Sequence, residues 1–132
     1  NQYIVSGTDE QSLEFGPGHY IQTAFPGTGG NVGIAGHRTT FGAPFANLDK
    51  VQLGDELILT VGVNKYHYEV DEVTIVEAVG GEYVLYNRGD DRLTLTTCHP
   101  KYSAKQRLIV TGILTKIESE IIFMQLFESV NW

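Results

Sequence analysis

A single cysteine, a histidine and an arginine stand where they could form a nucleophilic site. Cys98 ends the run TLTTC, and Arg107 follows it nine residues later. A cation beside a thiol favours the thiolate, which attacks carbonyls, and a guanidinium can hold the oxyanion that forms during acyl transfer. Acyl transfer also needs a base, and His37 lies in GIAGHR, directly after a strand end rich in glycine and alanine.

Residue type and spacing leave other interpretations open. A lone cysteine in a β-rich run is most often a small buried hydrophobic side chain, and an arginine that opens a strand is usually solvated. His99 adjoins the thiol and is the alternative base. Adjacent strand residues point to opposite faces, so its ring would reach the sulfur only across a sharp bend. His19 and His67 have the pattern of surface or packing residues.

The elements that must position these residues are predicted to be strands. Fifteen glycines separate short runs rich in Val, Ile, Thr, Tyr and Leu, which is typical of an all-β domain. Apolar residues alternate in several runs, as a sheet with one buried face requires. Strands are predicted at residues 31–36, 55–61, 65–76, 82–87, 91–97 and 106–117, with a shorter one in 18–24. A closed or nearly closed barrel fits this pattern best.

Two segments depart from the strand pattern. Residues 42–51, GAPFANLDKV, predict a helical turn or two between strands, with Pro44 in the first turn. Residues 118–132 place apolar side chains on an approximate helical stripe with acidic flanks, which predicts an amphipathic tail helix. We therefore expect one domain over residues 1–132, with its core at about 15–117 and the tail at 118–132.

Composition and charge narrow the classes of function. The chain is 42% hydrophobic and 19% charged, as a folded globule is. Its net charge is -7 and its nine lysines and arginines are scattered, so we expect no nucleic acid partner. No apolar run approaches the ~20 residues of a membrane-spanning helix. The acids Asp71, Glu72, Glu77 and Glu82 are spaced like solvated side chains, so we expect no metal and no cofactor.

Three motifs resemble those of the sortases, the cysteine transpeptidases of Gram-positive cell surfaces. TLTTC is similar to the family's strand-ending TLxTC, GHR to its catalytic histidine motif, and Arg107 to its strand-opening arginine. The resemblance runs from about residue 15 to 114. The segments FGPGHYIQTAFPGTGGNVGIAGHRTTFGAPFANL and TLTTCHPKYSAKQRLIV are most similar to class E sortases, with class D next.

The resemblance implies an all-β fold, an eight-stranded sortase-type barrel with short helical connections. It also implies a catalytic trio of Cys98, His37 and Arg107. Sortases cut a C-terminal sorting signal, LPxTG or in class E LAxTG, between Thr and Gly through a thioacyl enzyme. They then transfer the protein to a peptidoglycan amine, with the histidine as general acid and base and the arginine on the oxyanion.

Three further residues match substrate-groove positions of the family. Tyr20 is implied to distinguish class E, with a phenol that favours Ala over Pro in the signal. Thr97 is implied to line the groove and lend its hydroxyl to the substrate or oxyanion, and Ala35 to lie on the groove floor. No metal or other cofactor is expected at this site.

The implied partners are secreted proteins that carry a sorting signal and the amine of a peptidoglycan precursor. The implied location is the extracellular face of a bacterial cell membrane. The sequence begins with Asn rather than Met, which predicts a trimmed or processed fragment, and the resemblance implies an N-terminal membrane anchor upstream. Two alternatives remain: another cysteine acyl-transferase such as an L,D-transpeptidase, whose motif is SHGC where this chain has TTCH, and a non-catalytic barrel that only binds. Retention of all three chemical groups argues against the latter.

Overall fold

A computed structural model describes residues 2–119, and their strands form one mixed β-sheet. Its strands are β1 (Val5–Ser6), β2 (Gly18–His19), β3 (Asn31–Ala35), β4 (Glu56–Val61), β5 (Asn64–Glu77), β6 (Arg92–His99) and β7 (Gln106–Ser119). Their order across the sheet is β1-β2-β3-β6-β7-β5-β4. The pairs β1–β2 and β3–β6 are parallel, and the other neighbours are antiparallel.

The two longest strands give the sheet its curvature. β5 pairs along its length with β7, and its first half also pairs with β4. The register between β5 and β7 shifts at His67/Tyr68 and again at Val70/Glu72. Such irregularities bend a strand and increase its twist, so β5 can close over one face of the sheet. β4 and β5 are joined through Gly62, whose φ of 60° suits the residue type that has no Cβ.

The apolar core lies against one face of β3, β6 and β7. It consists of alternate residues of these strands with contributions from β4, β5 and one turn: Val32, Ile34, Leu48, Leu59, Tyr68, Val70, Leu93, Leu95, Leu108 and Val110. In these strands every second residue thus points into the apolar core, as the alternation in the sequence predicts. Burial raises the pKa of the Tyr68 phenol to about 12.

The other face of the same three strands is polar although it is buried. Asn31, Thr94, Thr96 and Thr111 are each at most 4% exposed. Cys98 and Arg107 share this face, because each lies an even number of residues from the polar positions on its own strand. The sheet thus separates an apolar core from a polar face that carries the thiol.

Helical structure among residues 2–119 is short. The helix α1 (Glu10–Phe15) connects β1 to β2, and its cap Asp9 accepts a hydrogen bond from the Ser12 backbone amide at 3.4 Å. A 3₁₀ turn covers Leu48–Lys50, inside the segment predicted to form a helical turn. The sequence interpretation missed α1, since six residues are too few for a clear apolar period.

One predicted strand is wrong. Residues 82–87 contain a 3₁₀ turn, Glu82–Leu85, in the connection from β5 to β6. Its hydrogen bonds are local, from the Val84 amide to the Gly81 carbonyl (3.2 Å) and from the Tyr86 amide to the Tyr83 carbonyl (3.1 Å). The consecutive Tyr, Val and Leu residues gave the strand pattern. A segment that follows two glycines can nevertheless bury Val84 without pairing to another strand.

The all-β prediction is confirmed, with a difference in detail. The sheet has seven strands over residues 2–119, whereas the family resemblance implied eight, and β1 and β4 lie at its two edges. β7 extends to Ser119, so the first two residues of the predicted tail continue a strand. The rest of the predicted tail helix, residues 120–132, lies outside the described residues.

Candidate active site

Cys98 and Arg107 are brought together by the pairing of β6 with β7. The two residues are direct partners in this antiparallel register. Directly opposed residues point to the same face with Cβ atoms about 4.5–5.5 Å apart. The intervening loop at residues 100–105 therefore returns the arginine to the thiol, as the sequence predicts. Cys98 is partly buried.

The Arg107 guanidinium is tethered to the backbone that precedes it. Its Nη1 donates to the carbonyl of Ala104 at 2.8 Å and to that of Gln106 at 3.1 Å. Both bonds use the same nitrogen, so Nη2 and Nε are not engaged by them. A guanidinium held in this way keeps a fixed orientation while its other donors remain available for a developing oxyanion.

His37 follows β3, which pairs in parallel with β6. The strand pairing ends with Ala35 opposite Thr96. Contact continues past this pair, because the Gly36 amide donates to the Thr96 carbonyl at 3.1 Å and the Thr97 hydroxyl donates to the Gly36 carbonyl at 2.7 Å. These two contacts hold the residue before His37 against the residues before Cys98, so the chain leaves β3 beside the end of β6.

The His37 imidazole has a nitrogen without a protein partner. Its Nε2 is buried and makes no hydrogen bond within residues 2–119. The Phe41 ring packs against it, with centroids 5.3 Å apart and planes tilted by 46°. A buried ring nitrogen with no partner is costly unless a ligand or water satisfies it. This nitrogen therefore retains the capacity for one further hydrogen bond.

The loop after His37 has an unusual backbone. Phe41, Gly42 and Ala43 have φ angles of 50°, 80° and 44°. Left-handed conformations cost non-glycine residues free energy and concentrate at functional sites. Here they turn the Phe41 ring back onto His37. The sequence interpretation missed this role of Phe41, which no pattern of residue types would indicate.

His99, the alternative base, is engaged elsewhere. Its Nδ1 lies 2.9 Å from Arg38 Nη1. Because arginine only donates, this Nδ1 must accept, which leaves the proton of the neutral ring on Nε2. His99 is also next to Cys98 in a strand and so points to the opposite face. The geometry therefore favours His37 over His99 as the base.

Two of the three predicted groove residues lie on the face that carries the thiol. Thr96 is two residues before Cys98 on the same strand, and its Oγ1 is 2.8 Å from the Tyr20 hydroxyl. Ala35 pairs with Thr96 and is 8% exposed. Tyr20 and Ala35 thus border the same strip of sheet, one step away from Cys98. Thr96 was not singled out from the sequence.

The structure does not bring Thr97 to this face. It alternates with Cys98 along β6, is 3% exposed, and donates its hydroxyl to the Gly36 carbonyl. The predicted contact between this hydroxyl and a substrate therefore has no support in the geometry. Thr97 instead joins the end of β6 to the residue before His37.

A surface pocket of about 540 Å³ lies between the segment after Tyr20 and the connection from β5 to β6. It is lined by residues 22–24 and by Glu82, Leu85, Tyr86 and Asn87. A Cβ on Gly33 would meet Leu85 Cδ2 at 2.8 Å and Tyr20 Cδ2 at 3.0 Å, so both side chains pack over β3 at Gly33. Because Leu85 lines the pocket, the pocket adjoins the sheet close to Tyr20.

Acidic residues near this face pair with arginines. Arg92 is 5% exposed and binds Asp90 through Nε (3.1 Å) and Nη2 (3.0 Å), and Asp71 through Nη1 (3.1 Å). The hydrogen bonds from Arg92 lower the pKa of Asp90. Within residues 2–119 no group of three or more His, Cys, Asp or Glu side chains is arranged to hold a metal ion.

In the part of the chain that the structure describes, no helix is long and apolar enough to cross a bilayer.

Comparison with known proteins assigns the family. A sortase domain model matches residues 1–115. The chain belongs to the sortase family, as its three motifs predict, and it has the family's all-β fold. The match does not favour the L,D-transpeptidase alternative.

Particular relatives agree with the class suggested by the motifs. Sortase D of Bacillus subtilis is 33% identical over 112 residues, which cover 83% of this chain and 55% of that protein. Sortase SrtE1 of Streptomyces coelicolor is 34% identical over 108 residues, covering 72% of this chain and 31% of that protein. The chain thus spans about half, or less, of the length of these curated relatives.

The solved structure of sortase E from Streptomyces avermitilis is also similar, with a TM-score of 0.80 and 35% identity. The match covers 90% of this chain and 81% of that one. These similarities are consistent with class E and class D.

Proposed function

We propose that this chain is the catalytic domain of a cysteine transpeptidase that attaches proteins to the cell wall. The observation that carries the proposal is the convergence of three strands. β7 sets Arg107 directly opposite Cys98, and β3 runs alongside β6 and leads to His37. Membership of the sortase family supports the same reaction.

The reaction has two halves. Cys98 Sγ attacks the carbonyl of the signal's threonine, and the Thr–Gly C–N bond breaks as the thioester forms. His37 donates a proton to the departing glycine amine and later removes one from the amine that attacks the thioester, so the enzyme is regenerated. Arg107 donates to the oxyanion in both tetrahedral intermediates.

The sorting signal is of the LAxTG or LPxTG type. Tyr20 and Ala35 border the strip of sheet next to Cys98, where the residues before the scissile bond would lie. The Tyr20 phenol, held by Thr96, favours the small alanine in the second position of the signal. The pocket beside Tyr20 takes the residues further from the bond.

The partners follow from this chemistry. The acyl donor is a secreted protein with a sorting signal, and the acceptor is an amine of a peptidoglycan precursor. These two substrates meet at the extracellular face of the cell membrane, where we place the enzyme. One sortase catalytic domain occupies the chain.

The test is a transfer assay. The 132-residue protein is incubated with LAxTG and LPxTG peptides and triglycine, and the new amide is followed by mass. We expect transfer product with at least one peptide and none with Cys98→Ala, because no other thiol is present in the sequence.

The assay also separates the alternatives. Product that persists in Cys98→Ala would contradict the thioacyl route. A wild-type protein that binds the peptides but leaves them uncut would be a non-catalytic barrel, provided that a methanethiosulfonate reagent still modifies Cys98.

A further inference from the structure

Arg38 is a buried cation with an unusual set of partners. It is 5% exposed, and its Nη1 lies 3.1 Å from the Cys98 carbonyl oxygen and 2.9 Å from His99 Nδ1. Its Nη2 lies 3.6 Å from Asp49 Oδ1 in the 3₁₀ turn. One guanidinium thus contacts the backbone of Cys98, the side chain of the last residue of β6 and the 3₁₀ turn at Leu48–Lys50.

Arg38 is also the residue directly after His37. The same pair of segments is tied a second time, because the Thr97 hydroxyl donates to the Gly36 carbonyl at 2.7 Å. The two bonds are reciprocal: a neighbour of His37 holds Cys98, and a neighbour of Cys98 holds the residue before His37. These two side-chain bonds connect the two segments beyond Ala35, where the backbone pairing of β3 with β6 ends.

We propose that Arg38 is a positioning residue that fixes Cys98 relative to His37. This inference rests on the proposed transpeptidase function. A buried cation is costly to desolvate, and removal of one member of a buried ion pair usually destabilises the fold, so the rates of Arg38 variants are compared per folded molecule. Arg38 acts through Cys98 and His99 and does not touch the substrate. Its value lies in geometry, since a displacement of about 1 Å at a reacting group can cost about 100-fold in rate.

The primary test compares Arg38→Met and Arg38→Lys in the transfer assay. We expect Arg38→Met to lower kcat about 10- to 100-fold with KM within about threefold of wild type, because substrate contacts are retained while alignment is lost. Arg38→Lys restores part of kcat, since an ammonium can donate to the Cys98 carbonyl but lacks the fork that also reaches His99 and Asp49.

Arg92→Met is the matched control. Arg92 is equally buried, at 5%, and lies six residues before Cys98 on the same strand. Its replacement removes a cation from the ion pairs with Asp71 and Asp90 and destabilises the fold. We expect kcat per folded molecule to stay within about twofold of wild type. The inference is overturned if Arg38→Met keeps kcat within about threefold, or if Arg92→Met lowers kcat as much as Arg38→Met does.

A second readout does not depend on transfer activity. The imidazole NMR signals of His37 are recorded before and after methyl methanethiosulfonate modifies Cys98, and they are assigned with His37→Gln. In wild type we expect the modification to shift these signals, and in Arg38→Met we expect that shift to shrink although Cys98 still reacts.

If wild type transfers no peptide, the proposed function fails and the NMR comparison alone decides the role of Arg38. Equal shifts in wild type and Arg38→Met would overturn that role.

Discussion

At the scale of single residues, neighbours of the proposed catalytic groups have distinct tasks. Cys98 and Thr97 are adjacent, yet Cys98 lies on the polar face of the sheet, whereas Thr97 is buried and donates its hydroxyl to the Gly36 carbonyl. His37 and Arg38 divide in the same way, with one imidazole nitrogen unpartnered within residues 2–119 and one guanidinium committed to the Cys98 carbonyl. Alternation along β6 separates Thr97 from Cys98, whereas His37 and Arg38 diverge in the bend that follows β3.

This division predicts different outcomes for two histidines. We expect His37→Ala to lower kcat/KM for peptide transfer by at least about 100-fold, since a general acid and base is lost. His99→Ala should stay within about tenfold of wild type, because its Nδ1 only accepts a bond from Arg38. Initial rates of amide formation measure both effects. The reverse order of the two variants would make His99 the base.

At the scale of elements, one side chain fastens the connection from β5 to β6 onto the sheet. Asn31 opens β3 and is 0% exposed. Its Nδ2 donates to the carbonyls of Val84 at 3.0 Å and Tyr86 at 3.1 Å, and its Oδ1 accepts from the Thr94 hydroxyl at 2.7 Å. The pocket wall formed by that connection therefore depends on Asn31, which is more than 50 residues away in sequence.

Asn31→Ala is expected to be strongly destabilising. It leaves a buried carbonyl, a partly buried carbonyl and a buried hydroxyl without their partner, which costs about 2–4 kcal/mol in the free energy of unfolding. Urea unfolding followed by far-ultraviolet circular dichroism measures the change. Thr60→Ala, on the edge strand β4, is the control and should cost less than about 0.5 kcal/mol. A loss for Asn31→Ala no larger than for the control would refute the fastening role.

At the scale of the whole molecule, the end of β6 far from Cys98 is secured by ion pairs. Arg92 binds both Asp90 and Asp71, and the Thr111 hydroxyl also donates to Asp71 at 2.7 Å. β6 is thus fixed at one end by these pairs and at the other by Arg38. Both cations are buried, so each is sensitive to loss of its partners.

The lowered pKa of Asp90 makes part of the stability depend on pH. Hydrogen bonds from Arg92 lower this pKa below its usual value of 3.8. A carboxyl with a depressed folded pKa stabilises the fold above its unfolded pKa, and this contribution is lost as pH falls through the folded value. We expect wild type to exceed Asp90→Asn by about 1 kcal/mol at pH 7, allowing for solvent screening, and the difference to shrink below about pH 4.

Urea unfolding at pH 7 and at about pH 3 measures this difference. Glu72→Gln is the control, because the Glu72–Arg88 pair at 3.4 Å is exposed and should contribute less than about 0.5 kcal/mol at either pH. An Asp90→Asn difference of equal size at both pH values would exclude the ion pair as its source.

Much of the fold was predictable because it is encoded locally. Alternation in β4, β5 and β6 indicated strands close to the observed ones, and glycines marked the connections. The strand predicted at residues 82–87 is wrong, since a run of Tyr, Val and Leu residues occurs both in strands and in 3₁₀ turns that bury one side chain. The helix α1 was too short to leave a period.

The sequence by itself determined the all-β class, the family and the identities of the groups proposed for catalysis, because these depend on residue types, alternation and short motifs. Only the tertiary structure decided what the neighbours do. Strand register sets Arg107 opposite Cys98 and turns Thr97 away from the polar face of the sheet. The tertiary fold also brings Arg38 to the carbonyl of Cys98, which is 60 residues away in sequence. Such contacts join segments remote in sequence, so no local pattern records them.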